Sequence, residues 1–214
     1  MLMQDGASVV PDDVAFTVSG PARSILSVER VLLNFMQRMS GIATLTRAFV
    51  NAVEGTGCTV LDTRKTTPTL RALEKEAVRI GGGQNHRFGL FDMIMIKDNH
   101  IDFASGIPQA IRTAQDYLAA NKLDLRVEVE ARDLNEVREV LHTGGVHRIM
   151  LDNFEFADLR AAVKMIGRAC ETEASGGIDL DNARAYAECG VDFISVGALT
   201  HSARSLDLSL KAMS

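Results

Sequence analysis

The chain has 214 residues, 46% hydrophobic and 24% charged, with a formal net charge of −5. These values exclude disordered, collagen-like and coiled-coil proteins, leave room for one large domain or two small ones, and argue against a general nucleic-acid or acidic-membrane binder. No apolar run approaches the roughly 18–20 residues of a membrane span, and Met1–Val10 lacks the charged and apolar regions of a signal peptide.

From Met1 to about Ser24, the turn signals Asp5-Gly6, Pro11-Asp12-Asp13 and Gly20-Pro21 surround two short extended runs, Ser8–Val10 and Val14–Val18. A long helix follows. Val28, Leu32, Phe35, Met36 and Met39 recur at helical spacing and predict one apolar, core-facing stripe, with Gly41 as a point of interruption before Leu45–Val53.

A repeating unit then begins. Cys58–Asp62 predicts a strand, Thr67-Pro68 a helix N-cap and first-turn proline, and Leu70, Leu73, Ala77 and Ile80 the buried face of that helix. Further strands are expected at Asp92–Ile96, Arg126–Val129, His147–Leu151, Ala169–Ala174 and Asp192–Val196. The helices between them carry Ile107/Ile111/Ala114/Leu118, then Leu134/Val137/Leu141, then Leu159/Ala162/Val163/Ile166; a last one lies between Asp179 and Gly190. Such alternation implies right-handed crossovers and a parallel sheet, in a barrel or a doubly wound form. The length is short for a closed eight-unit barrel of ~250 residues.

The informative residues come directly after the strands, where parallel α/β folds build their sites. They are Arg64 and Lys65, Lys97, Glu130, Asp152, then Ser175-Gly176-Gly177 and Gly197. Arg64, Lys65 and Lys97, with His86-Arg87 from a nearby loop, form a cationic group suited to a multiply anionic substrate. Taken singly, Arg64 and Lys65 are equally explained as solvated or paired with Asp62. Glu130 and Asp152 suit sugar hydroxyls or hydrated Mg²⁺, or pairing with Lys65 and Lys97. The glycines of the two late loops let backbone N–H groups approach an anion closely.

Other motifs carry less. Gly81-Gly82-Gly83 has neither dinucleotide-binding nor P-loop form and reads as a flexible loop. His100, His142, His147 and His201 lack zinc-ligand spacing, and no nucleophile elbow is present. Cys58, Cys170 and Cys189 form no CxxC pair, so a reduced, cytoplasmic setting is expected, with Cys58 and Cys170 as core thiols in strands.

The ordered motifs Glu29-Arg30, Leu33-Asn34, Ser40–Thr44, Asp62–Pro68, Gly82-Gly83, His86-Arg87, Gly89-Leu90, Asp92, Lys97–His100, Glu128–Glu130, Leu151–Asn153, Ala174–Ile178 and Gly197–Ser202 resemble quinolinate phosphoribosyltransferases over nearly the whole chain. The resemblance implies an open, incomplete α/β barrel (TIM-like) joined to a small N-terminal α/β sandwich. It implies transfer of phosphoribose from phosphoribosyl pyrophosphate to quinolinate, with Mg²⁺, giving nicotinate mononucleotide, pyrophosphate and CO₂ in NAD biosynthesis. Members form head-to-tail homodimers. By match, Arg30 reaches a neighbour's site, and Arg64, His86 and Arg87 hold quinolinate's carboxylates. Lys65 and Lys97 face substrate anions, and Glu130 and Asp152 face ribose and metal, the metal's direct ligands remaining open. Ser175–Gly177 and Val196, Gly197 and Ala198 hold the 5′-phosphate, with Lys65, Lys97, Glu130 and Asp152 as the catalytic set.

Members of the family begin well before the position matching Met1. The expected organisation is therefore a remnant of the sandwich at 1–27, a barrel at 28–205 and a tail at 206–214. Three other readings stay open: a barrel lyase with Lys97 or Lys65 as Schiff-base lysine, a related molybdenum-transport-associated transferase, and an inactive or truncated paralogue.

Overall fold

The computed structural model describes residues 1–213, so Ser214, the last residue of the expected tail, lies outside the described residues. Its centre is one six-stranded, all-parallel sheet: β1 (Thr59–Leu61), β2 (Ile94–Ile96), β3 (Val127–Ala131), β4 (Arg148–Asp152), β5 (Glu171–Ser175) and β6 (Phe193–Ser195). Strands pair in the order β1-β6-β5-β4-β3-β2. β1 and β2 are the two edges, so the barrel is open between them. The segment after the first crossover partly covers the β1 edge: Asp62 N–H donates to Gln84 O and Gln84 N–H to Val60 O.

Among the described residues eight helices accompany the strands: α1 (Ala22–Ala52), α2 (Arg71–Ile80), α3 (Asp98–Phe103), α4 (Ile107–Asn121), α5 (Leu134–Thr143), α6 (Phe156–Ile166), α7 (Ala183–Ala187) and α8 (Ala198–His201). Val127, Val129, Ala131, Ile149, Leu151, Ala174 and Ile194 alternate along the strands and pack with helix residues such as Ile111, Val137, Leu159 and Ile166 in one core. Each large side chain fully buried there contributes about 1.5–3 kcal/mol, and truncating Ile149 to Ala costs about 2–5 kcal/mol. The opposite strand face is polar: Glu128 and Glu130 on β3, Arg148 and Asp152 on β4, Glu171, Glu173 and Ser175 on β5. That second, ionic interior is why β5, Glu-Thr-Glu-Ala-Ser, carries so little apolar content.

Several expectations change. The N-terminal runs at 8–10 and 14–18 form no strand among the described residues; Leu2 and Met3 N–H groups donate to Ala15 O, and the segment is largely exposed. α1 runs unbroken for 31 residues, about 46 Å. Gly41 does not interrupt it but admits the returning chain, since a Cβ there would lie 2.0 Å from the Arg204 carbonyl oxygen. The buried side of α1 is Leu33, Gly41, Ile42, Thr46 and Phe49; Val28, Leu32 and Phe35 of the expected core stripe are exposed.

Thr67 and Pro68 do not start α2, which begins at Arg71 after a turn through Thr69 and is capped by Leu70 without a side-chain bond. α2 buries Glu74, Lys75, Ala77 and Val78 and leaves Leu73 exposed. Ion pairing of Glu74 and Lys75 rotates the helix away from its apolar stripe. Cys58 and Cys170 precede their strands rather than lying in them and are only half-buried.

Candidate active site

The carboxyl ends of the six strands gather the singled-out charges on one side of the barrel. Asp62 follows β1 and is fully buried. It accepts from Lys75 Nζ at 2.5 Å, Asn85 Nδ2 at 2.6 Å and the His86 backbone N–H at 2.8 Å. Burial raises the Asp62 pKa and lowers that of Lys75, and each is opposed by its partner's charge. Because Asp62 is committed to Lys75, Arg64 and Lys65 are left exposed and do not pair with it.

Arg87 is half-buried, and its Nη1 donates to Met93 O at 3.2 Å within the loop that leads into β2. Its pKa is lowered, first by burial and then by the charge of Arg64. Like charges of this kind disfavour one another and are eased by an anion. Asp92 braces the same loop, accepting the Phe88 and Gly89 backbone N–H groups at 2.5 and 2.9 Å.

Lys97, at the end of β2, donates to Glu130 Oε2 at 2.6 Å; the lysine is 46% exposed and the glutamate 8%. Ser175 Oγ donates to Asp152 Oδ1 at 2.5 Å, and Asn153 Nδ2 to Asp152 Oδ2 at 2.7 Å, so β4 and β5 hold this carboxylate rigidly. Gly176 has φ +94°, and a Cβ there would lie 2.1 Å from Asn153 Oδ1; only glycine permits this turn. Gly177 is exposed beside it. Val196 is buried and its N–H donates to Leu61 O at 2.9 Å, which fixes Gly197 and Ala198 at the start of α8. A Cβ on Gly197 would touch Lys65 Cδ at 3.4 Å, so the lysine stem runs along this loop. Arg30 is exposed in the N-terminal half of α1 and makes no side-chain hydrogen bond among the described residues.

His86 lies differently from the other expected substrate contacts. Its ring is 5% exposed and enters the barrel interior through the open side. Nε2 lies 3.0 Å from Glu128 Oε2 and 3.5 Å from Glu173 Oε2, both carboxylates being fully buried, while Nδ1 accepts the Arg87 backbone N–H at 2.7 Å. Arg148 donates to Glu173 at 2.8 Å and stacks over Phe193, 4.0 Å from the ring centre. Burial pulls the His86 pKa down, but the two glutamates outweigh it and raise it to about 9. Burial, with the charge of Glu173, raises Glu128 to about 7. Both shifts favour the protonated forms, so the cluster holds on to protons that the free groups would release on the way to neutral pH.

The imidazole and two carboxylates offer ligand atoms within 4.8 Å of one another, a donor set compatible with a divalent ion. Arg148 already pairs with Glu173 in this set. Neither of two hollows, about 640 and 430 Å³, includes the strand-end charges; they lie beside Gly82–Asn85 and at the opposite end of β1.

Sequence reasoning missed Lys75, Glu74, Arg38, Glu128 as a buried group, and Glu173. A paired acid at i and i+2 in β3 and β5 was the available signal, since an apolar strand has no reason to carry Val-Glu-Val-Glu or Glu-Thr-Glu.

Comparison with known proteins converges. The model described as "Quinolinate phosphoribosyl transferase, C-terminal domain" matches residues 42–211, and the one for its N-terminal domain matches residues 1–40. The chain is 51% identical to quinolinate phosphoribosyltransferase [decarboxylating] 1b of Nicotiana tabacum, covering 91% of this chain and 59% of that protein. It is 45% identical to the probable nicotinate-nucleotide pyrophosphorylase [carboxylating] of Bacillus subtilis, covering 97% and 70%. The crystal structure of NadC from Streptococcus pyogenes superposes with a TM-score of 0.92 at 43% identity, over 98% of this chain and 72% of that one. The chain therefore spans about three fifths of the length of the plant relatives it matches.

Proposed function

Given that the chain belongs to the quinolinate phosphoribosyl transferase family, we propose that it carries out the decarboxylating transfer of phosphoribose to quinolinate that its relatives' names describe. The observation that carries this reading is the convergence of Arg64, Lys65, Arg87 and Lys97 with the carboxylates Glu130 and Asp152 on one end of the sheet.

In this reading Arg64 and Arg87 take quinolinate's two carboxylates, which relieves their mutual repulsion. The pyridine nitrogen is thereby aimed at the anomeric carbon of phosphoribosyl pyrophosphate. The nitrogen–carbon bond forms as the carbon–oxygen bond to pyrophosphate breaks, through oxocarbenium-like charge. No protein nucleophile is needed; positioning and electrostatics carry the step. Asp152, held rigid by Ser175 and Asn153, and Glu130 bind the ribose hydroxyls and favour the developing positive charge. Lys65 faces the leaving pyrophosphate, and Lys97, released from Glu130, faces a substrate anion. The backbone of Ser175–Gly177 and Val196–Ala198 holds the 5′-phosphate. Mg²⁺, held through Glu130, Asp152 and the substrate's own oxygens, would supply charge neutralisation for the leaving group. Loss of CO₂ leaves an electron pair at the ring carbon beside the cationic nitrogen, and a solvent proton completes nicotinate mononucleotide.

His86 enters this scheme as the floor of the quinolinate subsite, a buried group whose proton is shared with Glu128. A homodimer is part of the same reading, supported by the exposed apolar residues Leu26, Val28, Val31, Leu32 and Phe35 along α1 beside Arg30. A reduced, cytoplasmic setting is supported by three free cysteines, with burial pushing Cys58 up to about 12. Among the described residues no helix is long and apolar enough to cross a membrane. Schiff-base chemistry fits Lys97 poorly, because that route needs an unpaired, desolvated amine.

Calorimetric titration distinguishes the substrate class. Quinolinate is expected to bind and nicotinate, lacking one carboxylate, to bind at least tenfold more weakly, and Arg87→Ala should erase the difference. Equal affinity for the two ligands in the unaltered protein would contradict the dicarboxylate reading.

A further inference from the structure

The loops that follow β1 and β6 are joined by side chains that contribute nothing to the sheet or the apolar core. Arg38 of α1 donates through Nε and Nη2 to Glu74 Oε1 of α2, at 3.2 and 2.7 Å. The same guanidinium donates to the Ala203 carbonyl at 2.9 Å and to the Thr200 carbonyl, both in the segment after β6. The other oxygen of Glu74 accepts the Thr67 backbone N–H at 2.9 Å, in the loop after β1. Thr200 closes the ring: its Oγ1 lies 2.9 Å from the Lys65 carbonyl and 3.3 Å from that of Gly197. Glu74 and Thr200 are 1% and 0% exposed.

Two further contacts of α1 reinforce this grip. Leu206 N–H donates to Gln37 O at 3.1 Å, and Gln37 Nε2 to Leu208 O at 2.8 Å. Gly41, one turn on from Gln37, lets the Arg204 backbone lie against the helix. A buried glutamate is costly unless paired and hydrogen-bonded; here its oxygens take one guanidinium and one backbone N–H, from two different elements. Arginine is needed because only a planar fork reaches a carboxylate and two carbonyls at once.

We propose that Arg38, Glu74 and Thr200 are positioning residues: they form one buried clamp that sets the distance between Lys65 and the Gly197–Ala198 backbone, and so the geometry of the phosphoribosyl pyrophosphate subsite. The kinetic part of this rests on the transferase reading above; the mechanical part does not. None of the three needs to touch substrate. Lys65 is otherwise unrestrained, an exposed side chain on a turn whose own backbone N–H is satisfied only by Thr63 Oγ1 at 3.0 Å. Small displacements of a binding group cost rate steeply, so loosening the ring should act on one substrate.

The test pairs Arg38→Ala with Thr200→Val and Thr200→Ser, with amide exchange and steady-state kinetics on each. Arg38→Ala and Thr200→Val are expected to speed exchange in residues 63–67 and 197–203 together. They should lower kcat/KM for phosphoribosyl pyrophosphate by about 10- to 100-fold, while KM for quinolinate stays within twofold. Thr200→Ser, which keeps the hydroxyl, is expected to match the unaltered protein. Unchanged exchange in the two loops, an equal loss for both substrates, or failure of Thr200→Ser to rescue would overturn the clamp. Should Arg38→Ala not fold, Thr200→Val and Thr200→Ser decide alone. Should the unaltered protein not turn over, coupled loosening of the two loops, with weaker binding of inorganic pyrophosphate, still supports the clamp while the transferase reading fails.

Discussion

The mouth of the barrel and the interior just beneath it both carry charge, and they treat it oppositely. At the mouth Arg64 and Lys65 are exposed, Lys97 is exposed with Glu130 as its partner, and the Arg87 pKa is lowered by burial and then by the charge of Arg64. In the interior the charges sit opposite one another in pairs and sets: Asp62 with Lys75, Glu74 with Arg38, Glu173 with Arg148, and His86 between two glutamates. Exposed charges cost little to hold and remain free for a ligand, whereas buried ones survive only as balanced sets. On the transferase reading, the difference separates residues that would recognise substrate from residues that hold them in place.

That separation can be broken at either end. The largest stability effect is expected for Asp62→Ala, which leaves Lys75 buried without its partner. Urea denaturation should show a loss of about 3–5 kcal/mol, and a loss below 1 kcal/mol would mean that water reaches the pair. Lys65→Ala should do the reverse. Its stability should stay within about 0.5 kcal/mol of the parent, while kcat/KM falls about 10²- to 10³-fold.

The His86 cluster gives a pH signature. His86 and Glu128 both have folded-state pKa values raised above their free values, to about 9 and about 7. Their contribution is complete below the free values and is lost as pH rises through the folded ones. Stability should therefore fall between about pH 4.5 and 9, by about 1–3 kcal/mol, and Glu128→Gln should flatten the lower part of that slope. An unchanged slope in the variant would place the titrating group elsewhere. The smallest effect belongs to the exposed pair Arg184–Glu188, 2.8 Å apart on one helix face. Its removal should cost no more than about 0.5 kcal/mol, a baseline for what a paired surface charge contributes.

Sequence reading located the strand–helix repeats because each strand's helix-facing residues are apolar, as in Val127, Val129 and Ala131 or Ile149 and Leu151. It placed the strand-end charges because the loops immediately follow those runs. It failed where ionic pairing replaces apolar packing. Leu73 looks like core and Glu74 like surface, yet Arg38 and Thr67 draw Glu74 inward and turn Leu73 out. His86 reads as one more mouth cation because nothing local to it reveals Glu128 and Glu173, which are 42 and 87 residues further on. The apolar stripe of α1 carries the right period for a core helix, but among the described residues Val28, Leu32 and Phe35 stay exposed.

The central claim, that the mouth is a site for decarboxylating phosphoribosyl transfer, is tested most directly by turnover of quinolinate labelled in its 2-carboxylate. With phosphoribosyl pyrophosphate and Mg²⁺, the account predicts labelled CO₂ and nicotinate mononucleotide in equal amounts, both abolished in Lys65→Ala. Folded protein that releases neither product, or releases CO₂ without the nucleotide, would contradict it.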